Sequence, residues 1–365
     1  MKKIQLSFFL LLACNVNLLA QQTSGSCGAN GSNLTWTYST QTHEIRITGT
    51  GAMTDYGYHE PGVAPWSSYD IRSAVIEEGV TSIGNCAFYK QSNLSSISLP
   101  STLETIGNDA FGCAESYNLT TVQIPSSVTN IGREAFLQCY GLNTIIGGEN
   151  VERIGVRAFK ETALTEAMSF SSVKKIDEQA FEGCHQLERI YFPNVQEIGL
   201  NAFNGCTSLY DMHFGEYLNY VDERAFYDCS ALMDNNGRLQ IDAATPPSVN
   251  YATAATDLFN IDETYLATRV ILYVPSGSVQ AYSQHDVWGK LIVRARDNSG
   301  VAELKAGTDY RINSGVIDFD TPTHCVLTDM TGRTIYSGTT TRVATAVPAG
   351  IYVLRTDKGA SKVVL

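Results

Sequence analysis

A chain of 365 residues is longer than most single globular domains, and its 44% hydrophobic content is ample for a core. The formal net charge of −12, from 25 basic and 37 acidic residues, argues against nonspecific binding to nucleic acid or anionic membrane. Both of those surfaces reward clustered Lys and Arg.

Residues 1–20 have the layout of an export signal: Lys2 and Lys3, an apolar run from Phe8 to Ala13, then LLA (18–20) before Gln21. The apolar run is too short to span a bilayer. Cleavage after Ala20 is the favoured processing. The alternative is a lipid anchor at Cys14, because LLAC (11–14) resembles a bacterial lipobox. Residues 21–70 hold alternating stretches around LTWTY and EIRITGTG, separated by Gly, Ser and Asn turns. They predict a hairpin-like β cap on whatever follows, with Trp36 and Trp66 as plugs.

From residue 71 to residue 233 the chain repeats itself. One phrase occurs seven times: IGNCAF (83–88), IGNDAF (106–111), IGREAF (131–136), IGVRAF (154–159), IDEQAF (176–181), IGLNAF (198–203) and VDERAF (221–226). Its aromatic falls at Phe88, Phe111, Phe136, Phe159, Phe181, Phe203 and Phe226, in steps of 23, 25, 23, 22, 22 and 23 residues. Self-similarity at this period marks a solenoid. Upstream of each phrase lies LxxIxLPxxLxxI, as in Leu94, Ile97, Leu99, Pro100, Leu103, Ile106. The alternation in LxxIxL predicts a short strand, which proline ends because it cannot donate a ladder hydrogen bond. Apolar residues at i, i+4 and i+5 in the phrase itself predict one or two helical turns. No coil of this size encloses a core alone, so stacking must place Phe on Phe and Ile on Ile. At ~4.8 Å per coil, seven coils span about 29 Å between first and last strands.

The seven I(G/D)xxAF phrases and the LxxIxLP runs resemble the BspA-like leucine-rich repeats. SCGANGSNLTWTY (26–38), ITGTGAMTDY (47–56) and APWSSY (64–69) look like that family's N-terminal module. The resemblance implies a solenoid of short parallel strands and short helical turns on a surface protein, with adhesion to host matrix or neighbouring cells as its role.

The period fails after Leu232. Residues 234–297 are expected to form an irregular C-terminal cap, with RVILYVPSGSVQAYSQHDVW (269–288) resembling the closing element of such solenoids. DLFNIDE (257–263) lacks the ligand spacing and glycine of a calcium loop and is expected to be a solvated surface loop. Residues 298–365 shift to a short all-β, Ig-like or sandwich-like pattern. There DMTGR, AGIYVLR and KVVL resemble the C-terminal sorting domain of type IX secretion, which would make that machinery a partner. A structural β-domain that stays attached is the other reading.

Of nine cysteines, Cys139, Cys184, Cys206 and Cys229 lie three residues after the repeat Phe, and Cys113 is displaced by one beside its coil's insertion. Copies of one slot point to buried free thiols acting as small hydrophobes. Pairing between adjacent coils, about 5 Å apart, stays open. Cys27, Cys86 and Cys325 lie outside this series.

Nothing in the sequence carries catalytic chemistry. HExxH, CxxC, GxSxG and P-loop motifs are absent, and the six histidines have no metal-ligand spacing. No cofactor or metal is called for. Recognition must then sit on outward strand positions. One outward column runs Val75, Ser98, Gln123, Ile146, Met168, Tyr191, His213, and its neighbour runs Ser73, Ser96, Thr121, Thr144, Glu166, Arg189, Asp211. Ile146, Met168 and Tyr191 form an apolar-aromatic run flanked by charge, which is either a binding face for an extracellular protein or glycan or a strip covered by a loop or the tail. The sequence therefore describes a non-enzymatic exported surface or secreted protein of a Gram-negative bacterium. A rigid spacer or assembly component of the cell envelope is the alternative.

Overall fold

The computed structural model describes residues 23–112, 115–167, 169–233, 237–250, 255–296, 310–313, 316–329, 333–344, 351–356 and 359–364. Within the repeats each coil has three sides. The LxxIxL stretch forms one strand, as in Thr121–Ile124, Thr144–Gly147, Arg189–Phe192 and Asp211–Phe214. Equivalent residues pair in parallel register, Thr121 with Thr144 and Tyr191 with His213. Alternate side chains decide which way a strand faces: Val122 and Ile124 are buried while Thr121 and Gln123 are exposed. The dipeptide ending in the first residue of each phrase forms the second side, a nine-stranded parallel sheet from Gly51–Ala52 to Ser248–Val249.

The third side is the phrase, and it is not helical. It makes two successive turns, with a left-handed residue in the fourth position: φ is 53° at Asp109, 54° at Glu134, 56° at Arg157 and 57° at Gln179. The reason lies in the backbone hydrogen bonds. A helix would spend its N–H groups inside its own coil, leaving the next coil's carbonyls unpaired in the core. With the left-handed residue, alternate N–H groups turn outward. Gln179, Phe181 and Gly183 donate to Leu200, Ala202 and Asn204 of the next coil, each at 2.8 Å. Ala180, Glu182 and Cys184 donate within their own coil, at 3.3, 3.1 and 3.1 Å. A left-handed non-glycine costs roughly 1–2 kcal/mol, which the inter-coil bonds offset.

Inside, the phenylalanines stack with ring centroids 5.2–6.0 Å apart from Phe88 to Phe226. Close coil approach fixes the glycine of the phrase: a Cβ on Gly155 would lie 2.6 Å from the Gly132 carbonyl carbon. The cysteine slot is buried, and Cys139, Cys184, Cys206 and Cys229 are free thiols. Their sulfurs donate to the carbonyls of Phe111, Phe159, Phe181 and Phe203 at 3.1–3.3 Å. Burial pushes the Cys184 thiol up to about 11. Cys27, Cys86 and Cys325 are free and buried as well, while Cys14 and Cys113 lie outside the described residues.

Both ends of the stack are closed by tryptophan. Trp66 packs 5.9 Å from Phe88 and Trp36 packs 5.6 Å from Trp66. They are held on the hairpin Gly31–Ser39 and Glu44–Gly49 and on the segment that follows it. At the other end, the expectation of a solvated loop at residues 257–263 is overturned. Leu258 and Phe259 are fully buried. Phe259 stacks on Phe226 at 5.8 Å and meets Trp288 at 6.5 Å. The carbonyls of Asp257, Leu258 and Phe259 accept the outward N–H groups of Arg224, Phe226 and Asp228. DLFN is therefore a degenerate eighth phrase, 33 residues after the seventh. The long-strand sheet also continues past the repeats, through Arg238–Ile241, Ile271–Pro275 and Ile292–Arg296.

Described by themselves, the last residues form one five-stranded antiparallel sheet with a small core of Ile317, Phe319, Cys325, Leu327, Val343, Tyr352 and Leu354. Among the described residues no helix is long and apolar enough to cross a membrane.

Candidate binding face

The outward side of the long-strand sheet changes character along its length. Toward the N-terminus its columns are plainer: Ser73, Ser96, Thr121 and Thr144 in one, Val75, Ser98 and Gln123 in the other. Ile146 follows and is 46% exposed. It stands in register with Gln123 in a two-stranded segment that is a separate sheet from the one beginning at Glu166–Ala167. Met168 lies outside the described residues. Tyr191 is half-buried and packs against His213, with ring centroids 4.7 Å apart. The structure thus brings Tyr191 to His213 rather than to Ile146. In the neighbouring column Glu166, Arg189 and Asp211 stand in register, and Arg189 pairs with Glu166.

Beyond His213 the same columns run on into residues that the sequence reading left out. Gln240 and Tyr273 continue the His213 column, and Arg238 continues the Asp211 column. His213 Nε2 lies 2.7 Å from Asp242 Oδ2 and 2.8 Å from the Gln240 amide nitrogen, which also donates to Asp242 Oδ1 at 2.8 Å. Arg296 Nη1 donates to Asp242 Oδ1 at 2.6 Å. Arg238 donates to Gln240 Oε1 at 2.6 Å and lies over the Tyr273 ring at 5.6 Å. Burial alone would lift the Asp242 carboxyl, but the bonds from His213, Gln240 and Arg296 outweigh it and hold it down at about 2. Desolvation first, then Asp242, raises the Tyr191 phenol.

This cluster is fixed, charged and aromatic. His213 and Asp242 resemble two members of an acid–base relay, yet the Gln240 amide meets the same ring nitrogen, Nε2, as the carboxylate, whereas a relay needs its third group at the opposite nitrogen. Among the described residues no three His, Cys, Asp or Glu side chains are placed to hold a metal. What the arrangement offers chemically is a rigid recognition surface of aromatic edges and oriented donors and acceptors.

A second polar cluster lies on the turn side. Asp109 is 2% exposed and accepts a hydrogen bond from Tyr58 Oη at 2.6 Å. Its Oδ1 meets no donor among the described residues, and its neighbour there is the Glu134 carboxyl. Two such oxygens bond only when one carries a proton. Burial first, then Glu134, raises Asp109 to about 6, against the opposing pull of Tyr58 and Arg133. Burial works against charge on Glu134, but bonds from Arg133 at 2.9 Å and Arg157 at 3.1 Å prevail and lower it.

Residues 66–188 and 174–236 match the family model described as the BspA type leucine rich repeat region, in six copies. No curated protein matches the chain. Among solved structures, a leucine-rich repeat protein from Bacteroides ovatus is 20% identical, with a TM-score of 0.44 over 72% of this chain and 66% of that one, just under two thirds of its length. The leucine rich repeat protein of T. pallidum is 21% identical, with a TM-score of 0.34 over 56% of this chain and 90% of that one. A leucine rich cell surface protein from Faecalibacterium prausnitzii is 20% identical, with a TM-score of 0.27 over 72% of this chain and 92% of that one.

Proposed function

We propose that this chain, with a BspA type leucine rich repeat region at its centre, is an exported, non-enzymatic recognition protein. It binds an extracellular protein or glycan through the outward face of its long-strand sheet. The observation that carries this reading is the change along that face, from columns of mostly Ser, Thr and Gln to the hydrogen-bonded Tyr191, His213, Asp242, Arg296 cluster, which is anchored on the buried Gln240. Stacked coils need inward constants only, and a fixed outward cluster of this kind has no structural purpose in the repeat. Ile146, Met168, Glu166, Arg189 and Asp211 belong to the same proposed face. In this reading residues 1–20 are removed after Ala20, or Cys14 is lipidated. Residues 21–70 cap the solenoid of 71–233, residues 234–297 close it, and residues 298–365 address it through type IX secretion.

The test is a pull-down from host matrix and neighbouring cells with the mature chain. An Ile146/Met168/Tyr191 triple alanine variant that melts like wild type loses the partner if the reading holds. Retained binding rejects this face. The spacer reading draws on the plainer columns of the first coils and predicts no soluble partner for either form.

A further inference from the structure

We infer a second, independent site: a saccharide-binding notch at the corner between the long-strand sheet and the nine-stranded sheet. It is an open depression of about 260 Å³ lined by Glu152, Ser172, Lys174, Asn194, Gln196 and Tyr217, all exposed but the half-buried Ser172. Its origin is a break in the repeat. Between the two sheets the corner holds three residues in one coil (Gly148, Glu149, Asn150) and three in another (Gly215, Glu216, Tyr217). Two coils between these are drawn in. One has only Pro193 and Asn194 at the corner. The other has Phe170 there, and that ring is buried against Phe159 at 5.8 Å instead of standing on the surface. These two coils supply Ser172, Lys174, Asn194 and Gln196 to the lining, and the flanking coils supply Glu152 and Tyr217.

The chemistry of the lining selects the ligand class. Lys174 Nζ is paired with Glu152 Oε1 at 2.9 Å, so the notch carries no net charge to attract a phosphate or sulfate. Asn194 donates to the Ser171 carbonyl at 2.8 Å, which fixes its amide and leaves the oxygen as an acceptor. The Gln196 amide and the Ser172 hydroxyl add both donors and acceptors to the lining. Tyr217 stands 52% exposed, a large apolar ring face with water on it. A flat ring beside a lining of hydroxyl, amide and paired charge matches a neutral pyranose, with its C–H face against the ring and its hydroxyls on the polar groups. The Tyr191 ring is half-buried and packed against the tilted His213 ring, so it offers no comparably exposed platform.

The mature full chain is titrated by calorimetry and saturation-transfer NMR with neutral cello-, xylo-, manno- and chito-oligosaccharides, and with a sulfated oligosaccharide as charged comparator. At least one neutral series binds, and Tyr217→Ala and Gln196→Ala each weaken it about tenfold without moving the melting temperature. The sheet-face triple variant binds the saccharide as wild type does, which separates this site from the face proposed above. Absence of binding by every neutral series, equal binding by both notch variants, or preference for the sulfated comparator overturns the inference.

Discussion

Asp109→Asn tests the coupled acids on the turn side. In the wild type the folded chain holds the Asp109 proton up to about pH 6, while an unfolded chain releases it near the ordinary aspartate value of 3.8. Between those values the native state carries the extra proton, so this group makes stability fall as pH rises; above about 6 the loss is complete and constant. A shift of about two pH units corresponds to about 3 kcal/mol. Glu134 works in the other direction and lower down: its pKa is lowered, so its contribution is gained as pH rises toward the ordinary carboxylate range. Asparagine imitates the protonated acid. Its oxygen accepts from Tyr58 Oη and its amide donates to the Glu134 carboxylate, so the bond no longer depends on a shared proton.

Urea unfolding of both forms at about pH 4.5 and about pH 8 measures the difference directly. The variant should exceed the wild type by about 1 kcal/mol at the lower pH and by about 3 kcal/mol at the higher. A variant less stable than wild type at about pH 8 would mean that Asp109 is ionised and well paired in the native protein. An equal difference at both pH values would mean that Asp109 titrates alike in the folded and unfolded chain. Either result refutes the shared-proton reading.

Phe159→Ala removes a fully buried ring stacked at 5.4 Å on both Phe136 and Phe181. It should cost roughly 3–5 kcal/mol and lower the melting temperature by roughly 10 °C, which calorimetry reads. Gly155→Ala forces a Cβ to within 2.6 Å of the Gly132 backbone and should cost roughly 1–3 kcal/mol in the same assay, whereas Gly277→Ala, with open space around it, should cost nothing measurable. Ellman's reagent should leave Cys139, Cys184, Cys206 and Cys229 unmodified in the native chain and titrate all of them after denaturation. A deficit after denaturation would reveal disulfides.

The constants of the coil could be read in advance because they are local and repeated. A seven-fold Phe at steps of 22–25 residues admits one stacked core, and alternation in LxxIxL admits one strand orientation. The third side was misjudged for a physical reason. Apolar residues at i, i+4 and i+5 suit a helix and suit two successive turns equally well. What separates them is where the N–H groups of residues such as Gln179 and Phe181 find acceptors, and those acceptors lie a whole coil away. A left-handed residue shows in sequence when it is glycine, as at Gly183 and Gly205, but the fourth phrase position holds Asp, Glu, Arg, Gln and Asn. The eighth phrase was hidden because DLFN lacks the IG entry and comes ten residues late.

The candidate face divides in the same way. Column bookkeeping placed Tyr191 beside His213 because the repeat sets their register. The partners that make the pair a fixed cluster come from outside the period: Gln240 is 27 residues beyond His213, Asp242 is 29 beyond it, and Arg296 is 54 beyond Asp242. The notch has a similar cause, a corner one residue short and a Phe170 turned inward. Inside the described coils, backbone bonds, ring stacks and thiol contacts are spent within the coil or on its neighbours and are turned away from solvent. Distinctive surface can therefore arise only where the chain departs from its own repeat. For this chain those departures are the insertion between Phe111 and Phe136, the coils from residue 146 onward and the strands that close the sheet, and variation there should change what is bound while leaving the stack intact.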